Sequence, residues 1–442
     1  MTDKNTGARA AALEALLQVS ENEGYSNIVI DKTLEKYNLD KRDSALASII
    51  FYGVIEKRIT LDYYIAKFLT HPGFKLSNEA REILRQAVYQ VLYLEKVPES
   101  AAVNEAVNLA RLNKVSPEFV NAVLRSFLRG KDKVRLPDEN SIEFLSVQYS
   151  LPMGLIELWQ RSYGKEAAVK ILEAFNEKSR MFIRVNSTKT TADELISRFG
   201  EDVKAEKIKG LDYACKLTGG GNLTKLKGFE EGLFHVQDLS SQYLCGILAP
   251  EENEKIIDVC AAPGGKTFTM AEMMNGTGTV YAYDIYKGRV KLIRSGAYRL
   301  GLKNVMASMR DARSGECEIS DADRILCDVP CSGFGTIRRK PEIRYKNLEE
   351  LAALPGVQYD ILVQSSKHLK KGGILAYSTC TLNREENGDI ADKFLRENPD
   401  FEPQTINTGI KKYLDEPENQ LTMMPFMGEN DGFFVALFKK KL

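Results

Sequence analysis

Residues 255–267 read KIIDVCAAPGGKT. An apolar run ending at Asp258 gives way to small residues, two glycines and a lysine, and then to helically spaced apolar positions. A strand, a tight loop and a helix start follow one another here, and this order sets the fold of everything downstream. KIIDVC, TVYAYDI, NVMASM, RILCDV and GGILAYST have the texture of strands. TFTMAEMM, KGRVKLIRSGAYRLG, VQYDILVQSSKHLK and REENGDIADKFLREN are helix-length segments between and after them. That alternation predicts a mostly parallel sheet covered on both faces, a Rossmann-like domain over 235–442. The terminal GFFVALFKK predicts a last strand, antiparallel at the sheet edge.

Upstream the texture differs. Apolar positions recur at helical spacing in Ala10–Val19, Ser44–Ile55, Glu79–Leu94, Ala101–Leu112 and Pro117–Phe127, with Ser116-Pro117 fitting an N-cap and first helical position. This predicts an all-helical domain over 1–138. Its basic end (Arg125, Arg129, Lys131, Lys133, Arg135) is either a solvated linker or an RNA contact. Residues 139–234 predict a helical linker and a small α+β subdomain, so the whole is a multidomain α plus α/β protein. Lysine plus arginine and aspartate plus glutamate number 61 each, so a nucleic-acid partner requires local basic patches. No signal peptide opens the chain and no run is long enough to span a membrane, while seven irregularly spaced cysteines suit a reducing compartment. A cytoplasmic enzyme, monomeric and without metal, is expected.

Within the loop, Cys260, Ala261, Ala262, Pro263, Gly264, Gly265 and Lys266 lie where ligands bind in doubly wound sheets. The spacing is neither GxGxxG nor that of an NTPase phosphate loop, which disfavours a pyrophosphate. Asp284 ends the next strand, where a carboxylate can accept both ribose hydroxyls; Asp311 closes the third strand, within reach of an adenine amino group, and Asp328 closes the fourth. A nucleoside without pyrophosphate fits this set, S-adenosylmethionine best.

The cysteines divide by position. Cys327 sits inside RILCDV as a small buried hydrophobe, and its spacing to Cys331 is wrong for zinc. Cys331, after Asp328-Val329-Pro330, and Cys380, after ILAYST, both fall on loops at the ligand-binding edge. Two thiols there suit cytosine chemistry, because a thiolate added to C6 activates the weakly nucleophilic C5. The second thiol then serves as base or assists elimination, and Asp328 can hydrogen-bond the base. A nucleophilic thiolate needs a positive neighbour, for which Lys266 and the helix N-terminus are candidates.

DVCAAPGGKT, AYDI, RDAR, DVPCSGFGT and YSTCTLNREEN resemble the motifs of RNA cytosine-C5 methyltransferases. That resemblance implies Cys380 as the nucleophile and Cys331 as the group assisting release, with Cys260–Lys266, Asp284, Asp311 and Asp328 around S-adenosylmethionine. Arg289, on the helix after Asp284, joins that cofactor set. RDSALASIIFYGVIEKRITLDYYI, ILRQAVYQVLYL, PESAAVNEAVNLA and FVNAVLRSFLRG resemble the helical RNA-binding domain shared with the antitermination factor NusB. With the RVN segment at 184–186 and GLFHVQDLSSQ, nearly the whole chain resembles bacterial 16S rRNA cytosine-C5 methyltransferases of the Sun/Fmu family. It departs in YSLPMGLIELW, which lacks the histidine and tryptophan usual after the family's serine at that point, and in MMPFMGEN, which lacks the histidine common there. Arg338, Arg339, Lys340, Arg344 and Lys346, beside the Cys331 loop, are expected to form an RNA-binding rim, and the target base to flip out of its stack. A tRNA or another rRNA cytosine as target, or a non-catalytic RNA-binding assembly factor, are the competing readings.

Overall fold

A computed structural model describes residues 7–442 except 22–25, 70, 72–73, 220, 222 and 316. The chain forms two compact units, one of Met1–Ala168 with Lys340–Lys346, the other of Val169–Arg339 with Asn347–Leu442.

The first unit is helical. The five expected helices span Ala8–Glu21, Lys41–Glu56, Asn78–Tyr93, Glu99–Leu112 and Pro117–Gly130. Two more, Ser26–Tyr37 and Arg58–Ala66, complete the set before residue 130. The second of these is separated from Lys41–Glu56 by Lys57 alone, so the two periodicities merge in the sequence. Asp40, Ser77 and Ser116 cap their helices by accepting from the N–H three residues on, and Pro117 stands in the first helical turn as expected. Leu13, Phe51, Leu84, Val88, Val120 and Phe127 are buried in the shared core.

The 340–346 segment is built into this helical unit. Arg344 donates to the carbonyls of Glu56 (2.6 Å) and Ser150 (3.3 Å), and the Tyr345 hydroxyl to that of Ile55 at 2.7 Å. Ser26 donates to the Glu342 carboxylate at 2.8 Å, and the Arg58 guanidinium lies 4.5 Å from the Tyr345 ring centroid.

The second unit begins with a four-stranded antiparallel sheet. Strands β1 (Met181–Val185), β2 (Val203–Ile208), β3 (Leu211–Gly219) and β4 (Phe234–Val236) lie in the order β2-β3-β1-β4. The helix Ala192–Arg198 packs beside it, opened by a capping box between Thr191 and Glu194.

The main sheet comprises β5 (Lys255–Asp258), β6 (Thr279–Asp284), β7 (Val305–Met309), β8 (Ala322–Asp328), β9 (Leu369–Thr379), β10 (Phe401–Pro403), β11 (Gln420–Met423) and β12 (Phe433–Lys440). Its order is β10-β12-β9-β8-β5-β6-β7, with β11 also on β12. The pairs from β9 to β7 are parallel, and the chain reverses its direction of travel across the sheet at β5. Alternate residues feed two cores: Ile256 and Leu326 face Phe268, Ile293 and Leu300, whereas Ile257, Ile325 and Cys327 face Leu362, Ile390 and Phe394. Burial on both faces explains why these strands read as continuous apolar runs. One expectation is corrected. β12 is antiparallel to β9, but β10 and β11 pair beyond it, so it is interior to the sheet and Phe433–Phe438 are buried throughout. No helix among the described residues is long and apolar enough to cross a membrane.

Buried polar contacts tie the small sheet to the large one. The Asn186 amide donates to the carbonyls of Gly232 and Leu300, both at 2.9 Å. Arg184 Nε donates to Glu272 Oε2 at 2.9 Å, while His235 Nε2 lies 3.5 Å from Glu272 Oε1. Burial pushes the Glu272 carboxyl up to about 7 despite Arg184, and burial with Arg184 and Arg299 pushes His235 down to about 3. A carboxyl raised from 4.5 to about 7 holds a proton that the unfolded chain releases, so its contribution to stability is present below 4.5 and lost as pH rises through 7. His235 works in the opposite sense between about 3 and 6.5. Glu272→Gln is therefore expected to gain stability relative to the parent across the window 4.5–7, by about 1–3 kcal/mol. Urea unfolding at both ends of that window checks it; a difference constant with pH contradicts it.

Candidate active site

Five parallel strands end at the carboxyl edge of the sheet, on either side of the point where it reverses direction. The loop from Val259 to Gly264 leaves β5 there, and the helix Gly265–Met273 begins at once. Gly264 has φ +112°, and a Cβ at this position would lie 2.3 Å from the Phe268 ring, so only glycine lets the loop fold tightly onto its helix. Asp258 accepts from the Thr267 hydroxyl at 2.7 Å, and its burial raises the carboxyl to about 7.

Asp284, at the end of β6, is almost fully buried; its carboxylate accepts from the Tyr286 N–H at 3.0 Å and meets Arg289 at 3.5 Å. Asp311 stands past the end of β7, but its carboxylate is held in two contacts by the Arg313 guanidinium, at 3.1 and 2.7 Å. Those bonds keep the Asp311 carboxyl below its usual range. Asp328, ending β8, accepts from Lys266 Nζ at 2.8 Å and from the Ser378 hydroxyl at 2.9 Å. The loop's lysine is thus committed to a carboxylate and not to a phosphate. A buried acceptor at the end of β6 and a tight glycine loop whose lysine is held by a carboxylate suit a nucleoside lacking a pyrophosphate.

The two loop thiols converge. Cys331 Sγ and Cys380 Sγ are 3.3 Å apart although 49 residues separate them in the chain. Their loops touch through backbone: the Gly335 N–H donates to the Cys380 carbonyl, and the Gly432 N–H to the Gly335 carbonyl, each at 2.9 Å. A Cβ on Gly335 would lie 1.9 Å from the Gly432 oxygen, so this approach also demands glycine. Cys327, by contrast, is fully buried in β8, its thiol pushed up to about 12 by burial.

Charge distinguishes the pair. The hydrogen bond that its thiol donates to Cys380, burial, and the negative charges of Cys380, Glu386 and Asp328 hold the Cys331 thiol well above the ordinary range. Cys331 therefore keeps its proton. Lys266 loses stabilisation of its ammonium to burial, but Asp328 first and Cys380 after it hold the group above the usual lysine range. Arg339 also interacts with the charge of Cys380.

The expected basic rim requires correction. The Arg338 side chain is buried, donating to the Glu429 and Asn430 carbonyls at 3.0 Å, and Arg344 is spent on Glu56 and Ser150. Neither guanidinium faces solvent where a phosphate would pass. Arg339 is exposed but bound to Asp431 through Nε at 2.6 Å, and Lys340 and Lys346 are also exposed. Nor is the segment one body, since Arg338 and Arg339 belong to the catalytic unit and 340–346 to the helical one.

Ser378, Asp431, Gln358 and Glu386 were not singled out by sequence. Ser378 and Glu386 lie in the YSTCTLNREEN motif and Asp431 in EN-DGFF, so proximity to Cys380 and a charge before an apolar strand were available signals. Nothing local distinguishes buried Glu386 from exposed Glu385, or marks Gln358 on a distant helix.

A reversing parallel sheet with a glycine loop, strand-end aspartates and paired thiols defines a Rossmann-like methyltransferase. Family models agree along the chain: 16S rRNA methyltransferase RsmB/F matches residues 245–439, the NusB family 6–129, and an RsmF/B-like ferredoxin-like domain 151–224. The chain is 37% identical to the probable ribosomal RNA small subunit methyltransferase B of Bacillus subtilis (strain 168), covering 99% of this chain and 100% of that one. It is 34% identical to ribosomal RNA small subunit methyltransferase B of Escherichia coli O1:K1 / APEC over 99% of this chain and 100% of its relative. The crystal structure of PH0851 superposes with a TM-score of 0.83 at 26% identity, covering 100% of both chains. That of NSun6 from Pyrococcus horikoshii with SFG gives 0.60 at 25% identity over 65% of this chain and 98% of that one. The chain belongs to the RsmB/F family of 16S rRNA methyltransferases.

Proposed function

We propose that this enzyme methylates C5 of a cytosine in 16S rRNA, with S-adenosylmethionine as donor, through a covalent bond between Cys380 and C6 of the base. The observation that carries the reading is the pair of thiols 3.3 Å apart, with the Lys266–Asp328 ion pair at the same strand ends. Bound S-adenosylmethionine supplies an electrophilic methyl group. The chain's own residues prepare its acceptor and hold the donor. Asp284, Arg289 and Asp311, with the Cys260–Lys266 loop, are assigned to the donor's binding; a structural relative solved with SFG, an analogue of that donor, supports the choice of donor.

Cys380 adds as a thiolate to C6, favoured by its cationic neighbours Lys266 and Arg339. The electron pair moves to C5, which becomes nucleophilic, while Asp328 hydrogen-bonds the polar edge of the cytosine. Once C5 carries the methyl group, solvent water takes the C5 proton, the freed electron pair forms the C5–C6 double bond, and the C6–S bond breaks with its electrons on sulfur. Cys331, held as a thiol, donates to the departing sulfur and eases its exit. A cytosine within folded rRNA reaches both thiols only by leaving its stack. The helical unit, matched by the NusB family model, is assigned to RNA binding, with Lys340 and Lys346 among its exposed cations.

Bisulfite sequencing of total RNA from cells with and without the protein tests the reading. One cytosine of 16S rRNA is expected to resist conversion only when the protein is present. A protein-dependent site in tRNA alone, or none in any RNA, overturns it.

A further inference from the structure

A buried carboxylate links the two cysteine loops. Glu386 follows Cys380 by six residues in a short helical turn and is 1% exposed. Its Oε1 accepts from the Ser332 hydroxyl at 2.5 Å and the Asn383 amide at 3.0 Å. Its Oε2 accepts from the Ser332 backbone N–H and from the Gln358 amide, both at 2.9 Å. These donors come from three parts of the chain. Ser332 immediately follows Cys331; Gln358 also donates to the Pro330 carbonyl at 2.9 Å, immediately before Cys331. The Ser332 hydroxyl lies 2.6 Å from that of Thr381, the residue after Cys380. Because Ser332 spends its proton on Glu386, Thr381 must donate to Ser332. The turn itself is fixed by the Tyr377 hydroxyl, which donates to the Glu386 carbonyl at 2.5 Å, and by Asn387, bonded to both Thr379 and Thr381.

Desolvating a carboxylate is expensive, and four donors are what make its burial tolerable. An apolar residue would fill the space without that cost but would tie nothing together. We propose that Glu386 is a positioning residue of this methyltransferase, holding the Cys331 and Cys380 loops at the separation at which the two thiols act as a pair. This rests on the roles assigned above to those thiols. Ser332 is the shared node. It reaches the carboxylate by two bonds and the Cys380 loop by a third, so the loops cannot part without stranding buried donors. Negative charge at Glu386 also favours the protonated form of Cys331.

The test pairs a kinetic readout with one that needs no RNA. Phenylarsine oxide condenses with two neighbouring thiols, forming two As–S bonds and releasing water, and so reports their pairing. In the full-length protein, Glu386→Gln replaces one acceptor oxygen by a donor facing donors. It is expected to lower kcat about a hundredfold, while KM for RNA and the affinity for S-adenosylhomocysteine change less than about twofold. Phenylarsine oxide capture should fall to the level of a Cys331→Ala control. Capture at the parental level, or kcat within about threefold of the parent, overturns the proposal. If Glu386→Gln does not fold, Ser332→Ala removes the shared hydroxyl and is expected to lose about tenfold in kcat together with capture; parental capture in that variant is equally fatal. Failure of the cytosine reading looks different, since the parent would then methylate no cytosine while the capture experiment still reports on the clamp.

Discussion

Cys380→Ala is expected to reduce methyl transfer to less than about a thousandth of the parental rate, because no other group at the site can replace a nucleophile that forms a bond to the base. Labelled S-adenosylmethionine and substrate RNA measure it directly. The loss should lie in kcat, with RNA affinity retained, since the side chain removed is small and its backbone carbonyl still accepts from Gly335. Cys380→Ser should behave the same way, a hydroxyl being far too weak an acid to ionise beside Lys266. Near-normal transfer by Cys380→Ala would move the nucleophile elsewhere, and Cys331, held as a thiol by its surroundings, would be a poor candidate to inherit the role.

Cys331→Ala is expected to fail at the other end of the cycle. Cys380 still adds to the base, but the sulfur leaving C6 has lost the donor that lies 3.3 Å away. Loss of one well-placed donor to a developing anion costs about 100- to 1000-fold, here in release. A covalent protein–RNA species should therefore build up, stable on a denaturing gel, carrying the methyl label and absent from the double variant Cys331→Ala/Cys380→Ala. A Cys331→Ala enzyme that turns over normally without such a species would remove its part in release.

Legibility followed physical range. The parallel sheet could be read because its runs are buried on both faces and each of the first four ends in a turn near an aspartate or glycine. Caps such as Ser116-Pro117 are local and could be read as well. The strand β12 was recognised but its place was not, because pairing with β10 and β11 depends on loops whose course no periodicity records. Cys331 and Cys380 were singled out from their strand-end positions, yet their separation depends on Glu386 and Gln358, which have no local signature. The basic stretch misled for a related reason. Arginine counts suggest a phosphate rim, but Arg338 and Arg344 find backbone carbonyls as partners, and carbonyls are invisible in a sequence.

The placement of residues 340–346 sets an order of completion during synthesis. Arg344 and Tyr345 fill carbonyl positions in the helical unit, which the chain begins at its very start. The last piece of that unit is made only after β5–β8 and the Cys331 loop. The helical unit therefore cannot close until β5–β8 have been made, although it is complete before β9–β12, a departure from the usual run of domains folding one after another along the chain. A fragment ending at residue 168 carries the carbonyls of Ile55, Glu56 and Ser150 without the donors that meet them in the full chain. Neither unit can be released intact by a single cut.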